Sequence, residues 1–184
     1  MQRFRIGDRI LILPRFAHLY PGNAGEVVGV QIDPRRAILN EYTVKFPDGS
    51  TANLFEFQIQ RDVSQYQSAQ AIVGFDSSQQ MPAIAARGAA PDRHLLLQTS
   101  EVDIDMKIYW IKSRASIIGQ VLERATARLV TDAEVTITNR RLPGGATITD
   151  NQGTFMFTGL TGGPVEIEIL IHPKALKISG SLTI

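Results

Sequence analysis

The residues best suited to proton transfer or metal binding are three histidines, His18, His94 and His172, and the pair Asp103 and Asp105. No two histidines stand four apart or flank a single residue, so the spacing that places two imidazoles on one metal is absent. Asp103 and Asp105 could act as an acid–base pair. They alternate with Val102, Ile104, Met106, Ile108 and Trp110, however, and so read as the wet face of a half-buried strand. The sequence has no cysteine, which excludes disulfides, thiolate metal sites and cysteine nucleophiles and weakly favours a reducing compartment. It contains no G-x-S-x-G, P-loop or G-x-G-x-x-G motif, and Gly144-Gly145 and Gly162-Gly163 fall between strand patterns, where they read as turns. The expectation is a protein that is not an enzyme and that has no metal and no cofactor.

Binding is the remaining chemistry. Phe16, Leu19 and Tyr20 precede a turn, and Leu54, Phe55 and Phe57 crowd one strand pattern. That is many large apolar groups for a small β-body, so Phe16, Leu19, Tyr20, Phe55 and Phe57 are candidate protein-contact residues. Ile104, Met106, Ile108 and Trp110 are a second candidate set, because their strand stands where it could pair with another chain. Arg35-Arg36 and Arg140-Arg141 fall in expected hairpin loops, and aromatic residues lie near the first pair. Glu26, Asp33, Glu41 and Asp48 lie near it too, and the 19 basic residues are offset by 18 acidic ones, for a net charge of +1. Nucleic-acid binding needs uncompensated phosphate contacts, so it is disfavoured.

The elements that carry these residues read as strands. Arg9 to Leu13 ends at Pro14; Ala24 to Val30 follows the turn Pro21-Gly22-Asn23; Glu41 to Phe46 and Thr51 to Ile59 flank Pro47-Asp48-Gly49, a hairpin signal. This pattern suits a small closed barrel over residues 1–61. Residues 62–100 read as a mixed connector. A helix is expected to start at Asp62, to carry the stripe Val63, Tyr66, Ala69, Gln70 and Val73, and to stop at Gly74. The Ser-, Gln-, Ala- and Pro-rich stretch beyond it is expected to hold one helical turn after Pro82 and to need partners for its order. From 101 to 184 strand patterns return in quick succession: Val102 to Trp110, Ile117 to Leu122, Glu134 to Thr138, Ala146 to Thr149, Thr154 to Phe157, Val165 to Ile171 and Leu176 to Ile184. They indicate a β-sandwich. Hydrophobic content of 43% is that of a soluble globular protein. The start, MQRFRIGDRILILP, is neither a signal peptide nor a membrane span, and no apolar run approaches the ~20 residues a spanning helix needs. Synthesis in the cytoplasm, and a place in a particle, is the expected localisation.

Two resemblances rest on longer strings. Gly119-Gln120-Val121, Ala133-Glu134-Val135-Thr136-Ile137, then Thr149-Asp150-Asn151-Gln152-Gly153-Thr154-Phe155-Met156-Phe157 and Leu160 before Gly162-Gly163 resemble the carboxypeptidase regulatory-like domain, a transthyretin-like β-sandwich. The resemblance implies a scaffold module that sits beside catalytic or binding domains. It also implies a tight turn over Asp150 to Gly153, with Phe155 and Phe157 in the core. Phe4 to Ile10, Gly22 to Val30 and Tyr42 to Ser50 resemble an SH3-like barrel of the KOW, Tudor or nitrile-hydratase-subunit kind, which implies geometry and no ligand. The fold class is therefore all-β: a small SH3-like barrel, a mixed connector with a short helix, and an Ig/transthyretin-like sandwich. The function read from this is a non-catalytic structural or adaptor subunit of a large protein assembly, such as a phage-tail-like or contractile injection particle. Its partners would be other subunits or further copies of itself. The alternatives are an accessory module for surfaces or carbohydrate, and nucleic-acid binding through the barrel.

Overall fold

The computed structural model describes residues 2–80, 92–139 and 142–184. The chain is all-β, with three sheets and no helix longer than a short 3-10 turn among the described residues. It divides into two compact units, Met1–Gln65 and Tyr66–Ile184.

In the first unit, β1 (Arg9–Ile12), β2 (Ala24–Gln31), β3 (Glu41–Lys45), β4 (Thr51–Phe55) and β5 (Ile59–Arg61) form one sheet in the order β4-β3-β2-β1-β5. The meander is antiparallel, and β5 returns to pair with β1 through Ile10↔Arg61 and Ile12↔Ile59. The return of β5 beside β1 is consistent with a small antiparallel β-barrel. Alternation turns Ile10, Ile12, Tyr42, Val44 and Leu54 inward, and Phe4 and Phe46 complete the core. A 3-10 turn, Glu56–Gln58, joins β4 to β5. The sequence read Thr51 to Ile59 as one strand; the turn interrupts it.

In the second unit, β6 (Gln67–Gln70), β7 (Ile72–Asp76), β8 (Arg93–Gln98), β9 (Val102–Ile111), β10 (Arg114–Glu123), β11 (Glu134–Asn139), β12 (Leu142–Ile148), β13 (Thr154–Leu160), β14 (Pro164–Ile171) and β15 (Leu176–Thr183) make two sheets. Their orders are β13-β10-β9-β8-β7 and β12-β11-β14-β15-β6. The inner faces share one core, with Leu95, Met106, Ile117 and Phe155 from one sheet and Val135, Ile137, Ile167 and Ile178 from the other. Each large side chain so buried contributes roughly 1.5–3 kcal/mol. Asp150 to Gly153 form the expected tight turn: the Gly153 N–H donates to the Asp150 carbonyl (3.0 Å), and Gly153 has φ +64°, which glycine adopts without strain. Phe155 and Phe157 are buried beyond it.

The connector differs from its expectation. The helix expected from Asp62 is absent; Gln67–Gln70 and Ile72–Asp76 are strands, and the described helical element is the 3-10 turn Ser77–Gln80. The apolar stripe that suggested a helix yields to tertiary pairing. β6 runs parallel to β15 at one sheet's edge (Ile178↔Ala69), while β7 extends the other sheet beside β8 (Val73↔Leu97). One short stretch of chain thus passes from one sheet to the other, and Ala71 between its halves is buried. The turn expected after Pro82, most of the Ser/Gln/Ala/Pro-rich stretch and Arg140-Arg141 lie outside the described residues.

Candidate protein-contact surface on the barrel

The residues that reach the barrel surface are set by the local backbone. β4 ends at Phe55, which is 39% exposed, and the 3-10 turn carries Phe57, half-buried, to the same side. The two rings stack, with centroids 5.6 Å apart and planes within 9°. Phe16, one residue before the 3-10 turn Ala17–Leu19, meets Phe57 edge-on at 5.8 Å, and the Arg15 guanidinium lies 4.6 Å from the Phe16 ring centre. The result is a row, Arg15–Phe16–Phe57–Phe55. Beside it a groove is lined by Ile32, Asp33, Pro34, Leu39, Glu41 and Phe55. Ile32 is 56% exposed and Leu39 40%.

A polar network beneath the row fixes it. The Phe55 N–H donates to the Gln58 side-chain oxygen (2.8 Å), and the Gln58 amide donates to the Tyr20 hydroxyl (3.1 Å). Tyr20 in turn stacks on Phe46. The Glu56 carboxylate accepts from the Tyr42 hydroxyl (2.9 Å) and from the Asn40 amide (3.0 Å), and the Glu56 N–H donates to the Asn40 carbonyl (3.0 Å). Asn40 is fully buried and accepts the Asp33 N–H (3.0 Å), so the groove's loop is tied to the same network. Burial, followed by the hydrogen bond to Glu56, pushes the Tyr42 hydroxyl above its ordinary pKa and keeps it a neutral donor.

Of the candidate contact residues, Phe16, Phe55 and Phe57 come together, and Tyr20 supports them through Gln58. Leu19 is 60% exposed on the turn after Phe16. The second set does not form a surface. Ile104, Met106 and Ile108 are buried in the sandwich core, and Trp110 is half-buried against it. Over 103–108 β9 also has no free edge for another chain: β8 pairs along one side and β10 along the other. The sequence showed its period-two face but not its neighbours, because β8 lay in the stretch read as connector.

Four of the five residues suited to proton transfer are engaged by neighbouring side chains. Asp105 bonds His94 (2.5 Å), and Asp103 accepts from the Gln98 amide (3.1 Å), all on the outer face of one sheet. His172 is partly buried. It lies between the Tyr66 hydroxyl (2.9 Å from Nδ1) and the Glu134 carboxylate (3.2 Å from Nε2), and clasps three segments of the sandwich. His18 is exposed. Among the described residues no group of three or more histidines and carboxylates is placed to hold a metal, and no helix is long and apolar enough to cross a membrane. Sequence reasoning missed Ile32, Leu39, Asn40 and Gln58. The first two sit in a loop without periodicity, and the buried amides show their role only once the 3-10 turn is formed.

No protein-family model, curated protein or solved structure matches this chain.

Proposed function

We propose that this chain is a non-catalytic structural or adaptor subunit of a larger protein assembly, and that the barrel row Phe16–Phe57–Phe55 is where a partner subunit docks. One observation carries the reading: three phenylalanines in ring contact reach the surface beside a polar network that fixes the backbone at Phe55. Aromatic anchors on a preorganised support are the residues that dominate protein–protein contacts. The adjoining groove, with Ile32 and Leu39, adds apolar area around the anchors. The C-terminal unit serves as a scaffold of the carboxypeptidase regulatory-like kind; its support is the Asp150–Gly153 turn followed by buried Phe155 and Phe157, as that resemblance implies. Two small β-bodies on one chain fit accessory parts of a phage-tail-like or contractile injection particle, by analogy of fold. Nucleic-acid binding through the barrel has weaker support, since Asp33, Glu41 and Glu56 lie in or beneath the same surface.

The test is sedimentation of the chain from its native source. The wild type runs in a high-mass particle with fixed companion subunits, and a Phe55→Asp, Phe57→Asp variant, folded by circular dichroism, runs free. A wild-type chain that is a sharp monomer without companions would refute the assembly role. A variant that still enters the particle would move the contact elsewhere.

A further inference from the structure

The two sheets of the sandwich treat their outward polar groups differently. On the sheet containing β9 they pair with one another: His94 with Asp105, Gln98 with Asp103, Lys107 with Asp92 (2.9 Å). On the sheet containing β14 most of two adjoining rows do not. The register there sets Thr136, Glu168, Ser179 and Gln70 side by side in one row across β11, β14, β15 and β6. It sets Thr138, Glu166 and Ser181 in the next. Glu168 is held by Lys177 (2.6 Å). The other six side chains make no hydrogen bond or ion pair within the described chain. They surround two adjoining grooves that share Thr138, Glu166 and Ser181, with Pro164 at one end.

We propose that this face is a binding groove for a neutral, extended oligosaccharide. Its lining of five hydroxyls (Thr136, Thr138, Ser179, Ser181 and Thr183), the amides of Gln70 and Asn139, the carboxylate of Glu166 and the Lys177-paired Glu168 matches a ligand that is dense in hydroxyls and carries no charge. Each sugar hydroxyl can donate and accept at once, as the serines and threonines require, and Glu166 accepts from a diol by stronger, charge-assisted bonds. The neighbouring groups repeat at about 4.8 Å across strands and about 6.7 Å along them, an array of hydrogen-bonding points on the scale of linked sugar rings. Other ligands fit less well. Among the described residues, a phosphate-bearing chain meets a carboxylate, and the one lysine there, Lys177, is paired with Glu168. A protein partner finds no exposed aromatic or large aliphatic anchor, which stable protein contacts depend on. The proposal uses residues of the second unit alone and does not depend on the barrel row.

Isothermal titration of the full chain tests the proposal. The probes are four linear hexasaccharides: β-1,4-linked glucose, β-1,4-linked N-acetylglucosamine, β-1,3-linked glucose and α-1,4-linked glucose. At least one is expected to bind, with an affinity that does not change with salt and that falls at least about tenfold in Glu166→Ala, the loss of a hydrogen bond to a charged group. Ser181→Leu, which fills the groove, removes binding; if that variant fails to fold, the exposed Glu166→Gln serves with Glu166→Ala, and both must keep the wild-type urea midpoint. Absence of binding by all four probes at millimolar concentration overturns the proposal, as does binding that both Glu166 variants retain. Salt-sensitive binding of hexalysine, with none of the sugars, would make the face a docking site for basic segments and overturn it equally.

Discussion

Asp76 shows how a single carboxylate is made to depend on the fold. Its side chain is almost wholly enclosed, and it is paired with Arg93 and accepts from the Ser78 hydroxyl (2.7 Å) and N–H (2.9 Å). The Arg93 guanidinium holds its carboxyl far below the ordinary carboxylate range, more strongly than burial pushes it up. The folded pKa is thus depressed, so the ion pair contributes its stability above the unfolded value of about 3.9 and loses it as pH falls below that value. Urea midpoints measured from neutral pH downward should drop for the wild type through this acid range. Asp76→Asn should start lower at neutral pH and lose less on acidification, because the group that must be protonated is gone. The acid sensitivity belongs to the second unit, since Arg93 also donates to the Thr183 carbonyl and so ties β8 to the last strand.

At the scale of elements, most strands with one buried face were legible, but β8, with Leu95 and Leu97 buried, was lost in the stretch read as connector. Val165, Ile167, Ile169 and Ile171 alternate with polar or partly exposed neighbours, and β14 spans Pro164–Ile171. The Asp150–Gly153 turn was legible because glycine at a positive φ leaves a mark in sequence. β6 and β7 were not legible. Ile72 and Val73 are both exposed, so β7 lacks a period-two signature, and β6 exists only through its parallel pairing with a strand over one hundred residues later. The candidate site was half legible: an excess of phenylalanine pointed to Phe16, Phe55 and Phe57, whereas the amides that position them carry no local signal. The β8–β9 hairpin offers a test of how one buried hydroxyl closes an element. The Thr99 hydroxyl accepts from the N–H groups of Val102 (2.8 Å) and Glu101 (3.2 Å) and donates to the Val102 carbonyl (3.0 Å). Thr99→Val keeps the shape and strands the buried Val102 donor. It should destabilise the protein by about 1–3 kcal/mol, read from the urea midpoint at unchanged slope.

The whole molecule carries almost no net charge, +1 from 19 basic and 18 acidic residues, and this decides how the proposed assembly contact must behave. A chain without a bulk field gains little from long-range attraction, so whatever holds it in a particle acts at short range. The barrel row is of that kind: Phe16, Phe57 and Phe55 offer apolar area, and the Arg15 guanidinium is already placed over the Phe16 ring. Burial of apolar surface does not weaken with added salt, whereas exposed ion pairs are screened within a few ångströms at high ionic strength. Sedimentation of the native particle at about 0.05 M and again at about 0.5 M salt should therefore leave this chain bound in the same proportion. Release at the higher salt, while companion subunits stay together, would mean that charged loops such as Arg35-Arg36 hold the chain and that the phenylalanine row is only part of the barrel's surface packing.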